Sequence, residues 1–324
     1  MNQQTIFITA VGKKDGLGSQ LLSKILAIIY CKKKNFVYAH TPFKKFDVKD
    51  QDVIGKKAYK SGKGAEWVLK WENLLNIGYN QKKINDIKYD IKINLCDLIK
   101  EKQITMKDKY LEHNFDPTER INYYIEKYPK KKILFEIKEF PKIDKYHFND
   151  YEEIVKNLKQ NSNLNKNILD KNKINIVLHI RYTRDSKPRR EILKGYLKNN
   201  YKIFLQKIAE KFKDRDIQIY FISDTNKDNF KEFKFINNNT AKLKNSKYIA
   251  LNNIKFLLKT DSMECFNIMA NADILVMFAS AFSYCAGIFN ENFVIYPEFH
   301  DKPFKDWFIY NNTDFNNLNL SDII

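Results

Sequence analysis

Ile174-Asn175-Ile176-Val177-Leu178-His179-Ile180-Arg181-Tyr182-Thr183-Arg184-Asp185 is the stretch on which the reading of this chain turns. Residues 174–180 are apolar but for Asn175 and His179, and β-branched side chains dominate them. Such a run reads as a strand buried on both faces, the kind found in parallel sheets. It then breaks into Arg181, Arg184 and Asp185, charges placed where the strand would end.

The same rhythm repeats downstream. A helix is expected over 197–212, strands over 217–222, 274–277 and 293–296, and helices over 227–233, 261–271 and 280–289. Upstream, strands are expected over 5–10, 36–39 and 133–137, with helices over 19–33, 64–77, 118–128 and 151–158. Helical spacing puts Trp67 and Trp71 in the core. Between the two regions, residues 159–173 are almost all Asn, Lys, Gln, Ser and Leu, too polar to order as a core element. The expectation is therefore two α/β domains, 1–165 and 166–324, each a doubly wound sheet. With 324 residues and 44% apolar content, the chain has the material for two cores.

The formal net charge of +18 is carried mostly by lysines spread along the whole chain. A nucleic-acid protein would concentrate Arg and Lys on one face beside stacking aromatics. No such module is present, so nucleic acid is not an expected partner, and the charge is compatible with an anionic substrate or anionic lipid. Cys31, Cys96, Cys265 and Cys285 match no zinc spacing and read as reduced thiols. No secretory signal is read at the start, and the uncharged run 274–289 is too short to span a bilayer. Cytoplasmic placement, with peripheral contact at the inner membrane face, is the expectation.

In doubly wound sheets, ligands sit outside the carboxyl ends of the strands. That rule selects Gly12–Gly18, His179–Glu191, Ser223–Asp228 and Ala279–Ser283. Arg181 leaves its strand with a fork able to grip a diphosphate through two parallel hydrogen bonds, and Asp185 follows it. Asp224 ends the next strand, where a carboxylate accepts from a ribose hydroxyl or a base nitrogen, or simply turns the chain. Ser280 and Ser283 open a helix, whose amides and hydroxyls bind phosphate oxygens or cap the helix. His40, after the strand 36–39, reads as an acceptor contact or as a structural histidine. Asp261 reads as a helix cap.

Four segments in this order resemble the bacterial α-1,2-fucosyltransferases and, more distantly, the α-1,6- and protein O-fucosyltransferases. Asp15-Gly16-Leu17-Gly18-Ser19-Gln20 is similar to their GGLGNQ segment. His179, Ile180, Arg181 and Asp185 align with HxRRxD, with one extra residue before the acid. Phe221-Ile222-Ser223-Asp224 looks like FSDD, and Ala279-Ser280-Ala281-Phe282-Ser283-Tyr284 like NSTFSW. Tyr182, Thr225 and Ala279 depart from those motifs, and Arg184 is the candidate replacement for the second arginine.

The resemblance implies a GT-B-like α/β fold of two Rossmann-like domains facing across a cleft. The donor, GDP-fucose or another GDP-linked sugar, would lie on the C-terminal domain and a glycan or lipid-linked glycan acceptor on the N-terminal one. It implies an inverting transfer without an obligatory metal or further cofactor, and a place in surface polysaccharide synthesis. Gly16, Gly18, His179, Arg184, Asp224, Ser280, Phe282 and Ser283 would bind the donor. Arg181 would meet the leaving-group charge. Asp185 or Glu191 would take the acceptor proton, and the α-1,6 relatives favour Glu191. The alternative is a basic polyanion- or nucleotide-binding protein of glycosyltransferase-like fold that catalyses nothing.

Overall fold

A computed structural model describes residues 4–12, 15–47, 53–95, 117–138, 148–181, 201–224, 236–237, 240–241, 254–297 and 306–310. The chain divides into two compact units, 1–48 with 58–163 and 49–57 with 164–324.

The first unit is built on a five-stranded sheet: β1 (Ile6–Ala10), β2 (Val37–His40), β3 (Lys82–Lys83), β4 (Ile91–Asn94) and β5 (Ile133–Ile137), in the order β3-β2-β1-β5-β4. Every pairing is parallel. Helix α1 (Leu17–Lys34) follows β1 and buries the apolar run from Leu21 to Tyr30. It ends where Asn35 turns left-handed at φ 55°, the conformation asparagine tolerates best among residues with a side chain. Helices α2 (Val53–Lys60), which straddles the two units, α3 (Gly64–Leu75), α4 (Thr118–Lys127) and α5 (Phe148–Asn161) follow. Trp67 and Trp71 are buried edge to face with ring centroids 6.4 Å apart. Helix α5 runs three residues into the polar stretch 159–173, and Asn161 holds its last turn by donating to Asn157 O at 2.7 Å.

The second unit carries a six-stranded sheet: β6 (Ile174–Ile180), β7 (Ile217–Ser223), β10 (Ile254–Leu258), β11 (Ile274–Val276), β12 (Phe293–Pro297) and β13 (Phe308–Tyr310). Its order, β10-β7-β6-β11-β12-β13, is the 3-2-1-4-5-6 order of a dinucleotide-binding fold. All five pairings are parallel. A two-residue antiparallel pair, β8 (Ile236–Asn237) and β9 (Thr240–Ala241), lies apart from it.

Both faces of this sheet are covered, as the unbroken apolar strands require. Ile174, Ile176, Leu178 and Ile180 pack with Phe204, Leu205 and Ile208 of helix α6 (Tyr201–Lys211). His179 points the other way, its ring 6.2 Å from that of Phe282 in α8 (Ala281–Phe289). Phe266 of α7 (Ser262–Asn271) sits beside Phe282 at 5.6 Å. The fold class is therefore α/β with two parallel sheets, the composition of the GT-B class. The short helix expected at 227–233 lies outside the described residues.

Candidate functional site

In a sheet of this order successive strands are added in one direction from β6 and in the other from β11, so the carboxyl ends of β6 and β11 flank a crevice. That crevice is where ligands bind in doubly wound folds. The residues that end those two strands are Arg181 and the segment Met277–Ser280. Arg181 donates from Nη1 to Ser280 Oγ at 3.4 Å. On the other side, the end of β7 brings Asp224 to 4.0 Å from Arg181 Nε through Oδ2. Three of the residues picked out by sequence thus converge on one point above one sheet.

Each is placed by local chemistry. Ser280 is the N-cap of α8 and its Oγ accepts from Phe282 N at 3.3 Å. The same hydroxyl stands beside the guanidinium, so it joins the helix end to the arginine. Ser283 is fully buried, and its hydroxyl donates to Phe278 O at 3.1 Å and Ser280 O at 3.2 Å. It shapes the turn that presents Ser280. Asp261 caps α7, accepting from Met263 N at 2.9 Å, as its position in the sequence implied.

His179 lies under Arg181 and is 5% exposed. Burial first, and the Arg181 charge second, push its pKa down to about 3. The imidazole is therefore neutral across physiological pH, and the positive charge at the point of convergence belongs to Arg181. About a quarter of the Arg181 side chain remains exposed, enough to meet a ligand from outside.

Arg184, Asp185 and Glu191 lie outside the described residues, as do Tyr182 and Thr225. Gly16 and Gly18 belong to the first unit, where Gly16 is the N-cap of α1 and Gly18 lies in its first turn.

His40 ends β2 in the first unit and is 4% exposed. Its Nε2 and Glu72 Oε1 are 2.6 Å apart, and Glu72 Oε2 accepts from Phe43 N at 2.9 Å. Glu72 and its neighbour Lys24 did not stand out in the sequence. The available signal was their isolation: Lys24 is the one charge in the apolar run Leu21–Tyr30, and Glu72 stands between Trp71 and Leu75.

No protein-family model matches the chain, and no curated protein does. Among solved structures, fucosyltransferase NodZ from Bradyrhizobium is similar over 89% of this chain and 93% of its own, at 9% identity and a TM-score of 0.45. POFUT1 in complex with GDP is similar over 95% and 98%, at 12% identity and a TM-score of 0.43. Likeness at this level assigns no residue, so the functional reading stands on the chain's own residues.

Proposed function

We propose that this chain is a glycosyltransferase of the fucosyltransferase type, taking its sugar from a GDP-linked donor held by the second unit. The observation that carries the reading is the meeting of Arg181, Ser280 and Asp224 at the switch point of a 3-2-1-4-5-6 parallel sheet. A guanidinium beside a helix N-terminus is suited to a diphosphate, since both present N–H groups to phosphate oxygens. Asp224, at the end of the neighbouring strand, is assigned to the ribose or base.

In an inverting transfer, the acceptor hydroxyl forms a bond to the anomeric carbon. The bond from that carbon to the diphosphate oxygen breaks, and GDP leaves with the electron pair. Negative charge then grows on the diphosphate, and Arg181 with the α8 amides meets it without reorganising. Ser280 holds the arginine in that position. The neutral His179 beneath adds shape and no second charge. The acceptor proton goes to a carboxylate, which we assign to Glu191 or Asp185. The first unit, with His40, is assigned to the acceptor side, Gly16 and Gly18 to the donor, and the acceptor class to a glycan or lipid-linked glycan of surface polysaccharide synthesis.

The experiment is release of GDP from GDP-fucose in the presence of candidate glycans, with Glu191→Gln and Asp185→Asn compared with wild type. One of these variants should lose turnover by a hundredfold or more while retaining GDP affinity. Loss of GDP affinity in parallel with turnover would remove the base assignment. Binding of GDP without turnover on any acceptor or on water would favour a nucleotide-binding protein that catalyses nothing.

A further inference from the structure

Strands β2, β1, β5 and β4 are parallel neighbours, so their amino ends share one edge of the first sheet. The register sets Ile6, Ile133 and Ile91 side by side there, with Val37 one step further in. At about 4.8 Å per strand, the edge is about 15 Å across. It lies opposite the carboxyl ends, where doubly wound sheets take their ligands. The chain that arrives at it is basic: residues 32–36, 88–91 and 123–133 hold eight lysines, two acids and no arginine.

The densest run is Lys130-Lys131-Lys132, all exposed. It leaves the turn Tyr128–Lys131, which Lys131 N closes by donating to Tyr128 O at 3.4 Å. Lys130 takes the third position of that turn at φ 64°. Left-handed positions favour glycine or asparagine, so a lysine is held here against backbone preference. The turn is pinned on both sides. Gln4 Nε2 donates to Tyr128 O at 2.9 Å and to Lys131 O at 2.8 Å. Lys132 N donates to Asp90 Oδ2 at 2.7 Å, and Lys132 O accepts from Asp90 N at 2.8 Å. The three ammoniums stand on a fixed base, and among the described residues none of them is paired with a carboxylate.

Tyrosines flank the run. Tyr123 of α4 is 57% exposed, and Tyr89, just before β4, is 41% exposed. Tyr124 and Tyr128 stack with their planes 7° apart, and Tyr124 leans on Phe135 of the core. The Lys127 ammonium stands 5.7 Å from the centre of the Tyr123 ring and 5.5 Å from that of Tyr128. The helix dipole accounts for Lys127 and for Lys32, Lys33 and Lys34, which lie in the last turns of α4 and α1. It does not account for Lys88 or for Lys130–Lys132, which lie outside any helix. The acids at the edge are Asp90, Glu126, and Glu153 of α5, which pairs with Lys32.

We propose that this edge docks the protein on an anionic lipid bilayer. Its charge is of the sign and spread that attract polybasic segments to such a surface. The exposed tyrosines add an apolar body with a polar tip, suited to the depth of the headgroups. Lysine ammoniums act as point charges toward a diffuse negative surface, whereas the arginine fork that grips single phosphates and base edges is missing. The docking surface belongs to the first unit and does not depend on the donor reading of the second.

The test is co-sedimentation of the full chain with phosphatidylcholine vesicles, with and without phosphatidylserine. Wild type should bind only the vesicles that contain phosphatidylserine, and added salt should weaken the binding by screening. Each lysine near such a surface is worth about fivefold in partition, so Lys130→Gln, Lys131→Gln and Lys132→Gln together should weaken it on the order of a hundredfold. Lys44→Gln, Lys63→Gln and Lys70→Gln together remove the same charge from exposed positions away from this edge, and should change partition little. No binding to phosphatidylserine, equal binding to both vesicles, or equal losses in the two triple variants would overturn the proposal. A single-stranded oligonucleotide serves as the competing polyanion. If it binds more tightly than the vesicles and only the 130–132 variant loses it, the surface belongs to nucleic acid and the proposal fails. GDP affinity should be the same in wild type and the 130–132 variant, and absence of GDP binding in wild type would remove the donor reading while leaving this one standing.

Discussion

Lowering the pH from 7 to 5 should weaken the second unit by an amount assignable to one side chain. His179 is buried in β6 beside Arg181, and its pKa is pushed down to about 3 from the ordinary 6.5. Between those values the unfolded chain holds a proton that the folded chain refuses, so stability falls as pH falls. Its contribution is complete above about 6.5 and is lost progressively toward 3. The slope in that window is about 1.4 kcal/mol per pH unit, so from pH 7 to pH 5 the loss is about 2 kcal/mol. Other titrating groups act on wild type and on His179→Gln alike, so the comparison isolates the histidine. The assay is urea unfolding at both pH values, read as the shift of the second unit's midpoint. Wild type should lose about 2 kcal/mol more than His179→Gln. Equal losses would mean that His179 takes up its proton in the folded state as readily as in the unfolded one, and the description of a neutral imidazole beneath Arg181 would be wrong.

Ser280 offers a way to separate capping from ligand contact. Ser280→Ala removes the cap on α8 and should cost about 1 kcal/mol in thermal or urea unfolding. Ser280→Asp keeps a competent cap, so stability should stay near wild type, but it places a carboxylate against Arg181 and should lower GDP affinity at least tenfold. Retained GDP affinity in Ser280→Asp would separate this helix end from the ligand. Arg181→Lys keeps the charge and loses the fork, and should weaken GDP binding by about tenfold in calorimetry.

The second sheet was legible in the sequence because its inner strands are buried on both faces. Ile174–Ile180 and Ile217–Ser223 are almost unbroken apolar runs, the pattern of a strand covered on both faces. The strands that escaped detection lie outside the sheet centres. Residues Ile254–Leu258 are only half buried, so their apolar pattern is interrupted by Lys255 and has no clear period. Ile91–Asn94 and Phe308–Tyr310 are edge strands of four and three residues, too short for any period to emerge.

The candidate residues that the fold brings together, Arg181, Ser280 and Asp224, were legible from position alone, each at a strand's carboxyl end. Asp261 was read correctly as a cap because a lone acid before an apolar helical run has few other uses. What did not emerge was the network of Lys24, Glu72 and His40. It joins α1, α3 and β2, and only the fold brings those residues together. The double duty of Ser280, at once cap and arginine partner, was equally out of reach, since it depends on the distance between two strand ends.

The central claim is that the second unit holds a GDP-linked donor through Arg181. Calorimetric titration of GDP, with UDP and ADP as controls, into wild type and Arg181→Ala in the presence of EDTA tests it most directly. The account predicts GDP-selective binding that EDTA leaves intact and that Arg181→Ala abolishes. Absence of GDP binding, or equal binding of all three nucleotides that survives Arg181→Ala, would contradict it.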